Sequence, residues 1–406
     1  MHILRLFTLF LFIITVTISI SASEIELKSE IIFPFQDEHV HGSTIVSLSN
    51  GDLLTAWFQG SGERWADEVR IMGSRKKADS DSWSDPFLMA DVHAFPDINP
   101  VLFVDGTDRL WLIWYTVLAN QWETSLLKYR ISENYLSQSG APEWDWQADL
   151  LVKPGDKTER GIQPGDSFVE SVKAQVQEYG EYLKKSMDLE TVPEEWIRHG
   201  ERLLSLARGE NMIRSGRVYK EDGTYESKQL GYPHFRRLGW QTRNKPFITE
   251  SGRMIVPLYS DGFSFSLMAF TDNWGETWDF SNPLVGAGNI QPAIAQAENG
   301  DLVAYMRDNG PPPQRLHVSR STDNGMTWGP VRDSSLPNPG AAADIVTLNN
   351  GDWILINNDT EDGRHRLSVA LSEDDGKTWP YQKIIELDQE DEPTTAHYPA
   401  IVQADD

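Results

Sequence analysis

The chain has 406 residues, 61 of them acidic and 36 Lys or Arg, giving a formal net charge of −25, and it has no cysteine. A disulfide framework, a thiolate-bound metal and a catalytic thiol are therefore impossible, and so acidic a surface repels phosphate backbones, which argues against nucleic-acid binding as the main activity. Hydrophobic residues at 39% and charged residues at 24% describe a globular chain with ample core, and fifteen Trp, against about five at average usage, point to a repeated Trp position, a sugar-stacking surface or both.

The first element is an address. Met1–Ser23 has Arg5 ahead of an apolar run from Leu6 to about Ile20 and ends in small residues, the layout of a secretory signal peptide cleaved after Ala22 or Ser23. An uncleaved anchor is the alternative, since the run is near the lower limit for a span. Signal cleavage would leave a secreted or periplasmic protein with no stable membrane association.

Residues 24–406 read as one repeating domain. An apolar strand, a turn containing Gly and a second apolar strand recur at Ser43–Phe58, Pro100–Tyr115, Pro246–Tyr259, Pro292–Met306 and Asp344–Asn357. Asn-Gly and Asp-Gly between alternating β-formers are hairpin signals, because these turns need positive φ. The turn glycines Gly252, Gly300 and Gly351 are 48 and 51 residues apart.

A second phrase keeps the same period. Ser321–Trp328 and Ser372–Trp379 both read S-x-D-x-G-x-T-W, and Thr271–Trp278 fits with Asn273 at the Asp position. This is the Asp-box, or BNR repeat. Its Asp accepts backbone hydrogen bonds across a tight turn, its Gly takes a conformation closed to other residues, and its Trp packs between sheets. It is read here as a structural turn on an outer rim rather than as a metal or sugar site.

A period near 50 with about four strands per unit means a β-propeller. The expectation is an all-β, six-bladed β-propeller with units at roughly 40–90, 97–150, 240–285, 288–335 and 340–385, and a sixth that starts at His397. That last phrase has a first strand and no partner, so the last blade reads as incomplete, as in a chain cut from a longer one. Residues 24–36 are expected to supply it with an outer strand. One insertion, about 150–235, breaks the period after the second blade. There Ser167–Met187 carries Phe168, Val172, Val176, Tyr179 and Leu183 at helical spacing, and a second helix is predicted from about Pro193 to Ala207. An insertion of this kind is expected to overhang the pocket mouth.

Propeller ligands bind at the axial face, where each innermost strand begins. The polar strand heads therefore define the candidate site: His39 and His41, Asn99, Arg243, Gln291, Asp344, His397 and Tyr398. Loops after second strands add Arg64, Asp67, Asp261, Arg307 and Arg364, and Tyr259 ends such a strand. Four arginines at repeated positions, Arg64, Arg243, Arg307 and Arg364, suit a clamp on a carboxylate or sulfate, although each alone could equally pair with a rim Asp. No third ligand joins His41 and His397, so no metal site is expected, and no cofactor.

The Asp-boxes, the opening HGSTIVSLSNGDLLTAWFQG, INPVLF, the RNKP and IQP strand heads and the final YPAIVQ resemble the BNR-repeat, sialidase-like proteins of the sialidase superfamily. The resemblance covers most of the chain outside the helical insertion and implies hydrolysis of a terminal glycosidic bond. Sialidases use a tyrosine nucleophile activated by a glutamate, an aspartate acid/base and three arginines on the substrate carboxylate. By that resemblance Asp67 stands for the acid/base, Arg307 and Arg364 for clamp members, and Tyr259 or Tyr398 for the tyrosine. The R-I-P arginine motif of the first blade is missing, with His41 near its place.

The expected function is thus a secreted exo-glycosidase acting on the terminal, acidic sugar of a glycan or polysaccharide. Two alternatives stay open: a uronate polysaccharide lyase with His41 and a Tyr as proton acceptors, and a non-catalytic propeller that stacks sugars on Trp65, Trp122 or Trp240.

Overall fold

Each repeated phrase becomes a hairpin because its turn can enter the left-handed region. In the computed structural model, which describes residues 27–137, 139–154, 156, 165–208, 214–219, 222, 224–230, 238–388 and 395–404, Gly51, Gly252, Gly300 and Gly351 have φ of 82, 86, 87 and 94°. In the second hairpin the left-handed residue is Asp108 (φ 61°). The proposed signal segment lies outside the described residues.

Blade one is β1 (His39–Ser47), β2 (Leu53–Gly60), β3 (Arg70–Lys76) and β4 (Phe87–Ala90), and blade two is β5 (Asp97–Val104), β6 (Leu110–Val117), β7 (Ser125–Ser132) and β8 (Trp146–Asp149). Two helices follow, α1 (Ser167–Ser186) and α2 (Glu194–Ala207), then a hairpin of β9 (Arg214–Tyr219) and β10 (Tyr225–Leu230). Blade three has β11 (Gln241–Thr242), β12 (Phe247–Ile248), β13 (Met254–Ser260), β14 (Phe265–Thr271) and β15 (Asp279–Phe280). Blade four is β16 (Asn289–Gln296), β17 (Leu302–Asp308), β18 (Arg315–Ser321) and β19 (Arg332–Pro337). Blade five is β20 (Asp344–Thr347), β21 (Trp353–Asn358), β22 (Arg366–Ser372) and β23 (Tyr381–Leu387).

All five blades are antiparallel meanders in chain order, and the fold is an all-β propeller. In blade three the inner strand is broken: β11 and β12 both pair with β13, and Arg243-Asn244-Lys245-Pro246 bridges them.

The core lies between blades, and the Asp-box Trp residues fill it in a regular way. Trp278 of blade three meets Tyr129 of blade two (centroids 6.3 Å apart), and Trp379 of blade five meets Tyr305 of blade four (5.8 Å). Trp328 of blade four is buried in a cluster with Ile255 and Phe270 of blade three. Each box Trp therefore packs on the preceding blade. The boxes themselves work as tight turns: Asp323 Oδ1 accepts from Ser321 Oγ and Thr327 N, both at 2.8 Å, and Asp374 repeats this with Ser372 and Thr378. Asn273 does the same work in the near copy, accepting from Thr271 Oγ1 at 2.8 Å and Thr277 N at 2.9 Å.

Two expectations change. Residues 27–36 add no outer strand to a last blade. They lie on blade one instead, where Glu30 accepts from Lys76 Nζ (2.6 Å) and Trp83 Nε1 (3.0 Å) and Phe33 meets Trp57 (4.7 Å). The Phe33–Trp57 contact and the Glu30 hydrogen bonds tie the segment to that blade. Among the described residues, the phrase expected to begin a sixth blade forms no strand; residues 395–404 run beside blade five, with Ile401 N donating to Asp344 Oδ2 (3.0 Å).

Candidate functional site

The site begins with backbone geometry. The inner strands β1, β5 and β16 each carry an irregularity in register, between His41 and Thr44, Ile98 and Val101, and Ile290 and Ala293. At each sits a left-handed residue: Gly42 (φ 65°), Asn99 (48°) and Gln291 (55°), and Tyr398 (49°) repeats the conformation on the 395–404 segment. Positive φ is rare for Gln and Tyr and marks a backbone held by its surroundings. Each left-handed step re-aims a strand head toward the axis. Gly42 is required outright, because a Cβ there would stand 2.7 Å from Asn99 Oδ1 and 2.8 Å from the Phe58 ring.

Blade three supplies the holders. Asn244 Nδ2 donates to the carbonyls of Gln291 (3.1 Å) and Pro292 (3.0 Å). Arg243, fully buried beside it, donates to the carbonyls of Tyr398 and Pro399 (3.1 Å for the latter) and lays its guanidinium 4.9 Å from the Tyr398 ring centroid. The broken inner strand of blade three exists to free these two side chains from the sheet.

The re-aimed heads enclose an axial cavity of about 200 Å³ lined by His41, Glu63, Asn99, Tyr115, Tyr259, Asp261, Gln291, Arg307, Asn309 and Tyr398, with Phe58, Ile98, Trp122 and Ile290 as its apolar wall. Its polar groups form one network. Asn99 Nδ2 donates to Tyr115 OH (3.0 Å) and Tyr259 OH (3.5 Å), and Gln291 Nε2 donates to Tyr259 OH (3.4 Å) and Tyr398 OH (3.3 Å). Arg307 Nη1 donates to Tyr398 OH (3.3 Å) and Gln291 Oε1 (3.4 Å), and its Nη2 to Asn309 Oδ1 (3.1 Å). Two N–H donors thus converge on the Tyr398 oxygen, and no carboxylate is among its hydrogen-bond partners in the described residues.

Of the residues predicted from sequence, His41, Asn99, Tyr259, Asp261, Gln291, Arg307 and Tyr398 line this cavity together. Arg364 and His397 stand just behind Tyr398. Arg364 Cζ is 6.0 Å from the Tyr398 ring, its Nη1 meets His397 Nδ1, and the His397 and His41 rings are 5.2 Å apart.

Four residues are placed otherwise. Asp67 is exposed and outside the wall, its Oδ1 accepting from Asn120 Nδ2 at 3.3 Å. The loop after β2 turns back on itself, Ala66 N to Glu63 O and Val69 N to Ala66 O, and this brings Glu63 rather than Asp67 to the axis. Asp344 is a structural anchor, taking Lys245 Nζ at 2.7 Å and Ile401 N at 3.0 Å. Arg243 holds backbone from beneath the cavity. Arg64 stands apart at the mouth, its guanidinium between Trp65 (4.8 Å) and Trp122 (4.7 Å). Trp240, a suggested sugar platform, is 1% exposed and belongs to the core.

Tyr115 was missed, although a signal exists. Phe58 pairs with His41, Tyr115 with Ile98 and Arg307 with Ile290, so each lies opposite the residue that precedes a left-handed head. Superposing the second strands of the repeats would have found it.

The electrostatics follow from burial in a cationic surround. Burial, then the neighbouring His397, Arg243, His39 and Arg364, pull His41 down to about 3 from its ordinary 6.5, so its imidazole is neutral at pH 7. His397 is lowered for the same kinds of reason, burial first and then Arg364 and Arg307. Burial raises Tyr259 and Tyr115; Asp261 and Tyr398 add to it at Tyr259, and Tyr259, Asp261 and Tyr398 at Tyr115, so both hydroxyls stay protonated.

The chain matches the BNR repeat-like domain family over residues 51–158 and 226–406. It belongs to that family. A sialidase of Micromonospora viridifaciens is 27% identical over 161 residues, a stretch that is 36% of this chain and 24% of that protein. Among solved structures, a Hadza microbial sialidase superposes with a TM-score of 0.55 at 16% identity, covering 85% of this chain and 58% of its own. A Trypanosoma rangeli sialidase in complex with sialic acid gives 0.56 at 11% identity, with 90% and 50% covered. At such identities the structural likeness shows the propeller fold. The BNR chain spans only part of each of these relatives.

Proposed function

We propose that this chain is an exported, sialidase-like glycoside hydrolase that removes a terminal acidic sugar from a glycan or polysaccharide. The observation that carries the reading is the axial cavity of about 200 Å³, sized for one sugar ring, in which Arg307 binds the Tyr398 hydroxyl and whose wall includes Glu63. Membership of the BNR family and the partial likeness to the M. viridifaciens sialidase support the same reading.

Arg307 receives the sugar's acidic group, with Arg364 and Arg243 adding positive potential from behind Tyr398. The Tyr398 oxygen, fixed by Gln291 and Arg307, faces the anomeric carbon as positive charge builds there. Glu63 takes the acid/base role first assigned to Asp67, beside the departing oxygen. The net reaction adds water across the glycosidic bond, hydroxyl to the anomeric carbon and proton to the leaving oxygen. The lyase reading is weakened by the burial and neighbouring cations that keep His41 neutral, since an imidazole held near pKa 3 is a poor proton acceptor. Residues 395–404, between blade five and His41 of blade one, are read as the sixth sector of the ring, and Met1–Ser23 as the export signal.

The test is product analysis on terminal acidic glycosides and uronic-acid polysaccharides. Released acidic monosaccharide is expected, with Tyr398→Phe and Glu63→Gln each lowering kcat at least about 100-fold. Unsaturated products absorbing in the ultraviolet, or full turnover by Glu63→Gln, would overturn the assignment.

A further inference from the structure

The helices α1 and α2 do not touch the axial cavity. They build a second one. Both lie inside residues 159–225, the stretch that falls between the two family-matched segments 51–158 and 226–406. They dock on blades three and four through Gln175, whose Nε2 donates to Pro283 O (2.6 Å), through Tyr182 OH to Asp333 Oδ2 (3.1 Å), and through Arg202 Nη2 to Gly262 O (2.8 Å). Between helices and blades they leave a cavity of about 660 Å³ walled by Tyr179, Leu183, Trp196, His199 and the Pro311–Pro313 loop.

Three observations say what this cavity takes. First, it adjoins the axis. Asn309 lines both cavities, and Arg307 Nη2 binds its Oδ1 at 3.1 Å. Beside Asn309 the backbone packs closely: a Cβ on Gly310 would stand 1.9 Å from Ala287 O, and one on Gly288 2.6 Å from the Asn309 carbonyl carbon. Second, its lining is mostly apolar, with the exposed Pro311–Pro313 loop and Met187 at its surface, the buried Tyr179 and Trp196 rings behind and a few polar groups, the composition of a small-ligand cleft. The Tyr179 and Trp196 rings are 4.7 Å apart, and Trp196 meets His199 at 5.3 Å. His199 Nε2 is buried without a hydrogen-bond partner among the described residues, which leaves it available to a ligand hydroxyl. Third, among the described residues no Lys or Arg lines the cavity, so nothing in it favours an anion. His317 lies between Asp308 and Asp333 (3.4 and 3.1 Å), and Glu195 adds a further carboxylate.

We propose that this helix-walled cavity is a second carbohydrate subsite, holding about two or three neutral sugar rings next to the terminal acidic residue at the axis, as its volume allows. The proposal rests on the glycosidase reading of the axial site, yet binding tests it separately. Lactose, cellotriose and maltotriose are titrated calorimetrically into the full chain, the His199→Leu variant and the Met187→Trp variant, whose exposed position (54%) allows a bulky ring to fill the mouth without disturbing the core.

At least one sugar is expected to bind the parent with millimolar affinity, and to lose about tenfold or more in both variants. Glucuronic acid binding at the axis is expected to stay unchanged. On a cleavable substrate, the variants lower kcat/KM for an oligosaccharide about tenfold and leave that for a 4-nitrophenyl glycoside alone. If no glycoside is cleaved but sugar binding is lost in both variants, the axial reading fails and the subsite stands. Absence of binding to the parent at about 20 mM, or binding that neither variant weakens, overturns the subsite.

Discussion

His41 and His317 sit in opposite surroundings, and each makes stability depend on pH in its own window. His41 is driven to about 3 by burial and by the cations beside it. Burial pushes His317 down as well, but Asp308 and Asp333 outweigh it and hold the imidazole at about 9. Between pH 3 and 6.5 the unfolded chain binds a proton at position 41 that the native site refuses, so stability rises with pH across that window. Between 6.5 and 9 the native chain keeps a proton at position 317 that the unfolded chain has released, so stability falls. The two contributions reach at most about 5 and about 3 kcal/mol. The melting temperature is therefore expected to peak near pH 6.5. His41→Gln should flatten the limb between pH 4 and 6, and His317→Gln the limb between 7 and 9. Thermal melts of the three proteins across pH decide it: unchanged limbs in the variants would refute the assignment.

At the scale of the element, the blades were legible and the bends within them were not. Hairpin phrases and Asp-boxes repeat because every blade needs the same turn and the same Trp plug, so period and residue type coincide. The left-handed heads at Asn99, Gln291 and Tyr398 break local preference, and Asn-Pro, Gln-Pro and Tyr-Pro alone do not announce positive φ. What enforces the last two is distant: Asn244 and Arg243, where the inner strand of blade three is interrupted, hold carbonyls 47 to 156 residues away. Glu63 was not legible for a related reason, since only the backward turn of the loop decides which carboxylate faces the axis. Asn244→Ala leaves the Gln291 and Pro292 carbonyls buried and unpaired, and is expected to cost about 2–4 kcal/mol. It should also lower activity, because Gln291 fixes Tyr398. Asn273→Asp, which restores the Asp-box consensus on the rim, should stay within about 0.5 kcal/mol. Urea unfolding of both variants checks the contrast; similar small effects would remove Asn244 from its positioning role.

The whole molecule opposes its own site in charge. The net charge is −25, while Arg243, Arg307 and Arg364 gather round Tyr398 at the axis. The sequence made both halves of this visible, the acidity by count and the arginines by repeated position, but only the fold separates Arg64, stacked at the mouth, from the three that converge. An anionic polysaccharide approaching the protein meets the acidic surface over tens of ångströms. A small acidic glycoside inside the cavity meets mainly the arginines within a few. The two ranges are screened differently, because the Debye length falls from about 30 Å at 0.01 M salt to about 8 Å at 0.15 M. Raising ionic strength across that interval should raise kcat/KM severalfold for an anionic polymer, where relief of long-range repulsion dominates, and lower it for a small acidic glycoside, where attraction to Arg307 dominates. Arg307→Gln should abolish the salt inhibition seen with the small substrate and leave the polymer's salt activation in place. If both substrates responded to salt with the same sign, the axial cations would not be what recognises the acidic sugar.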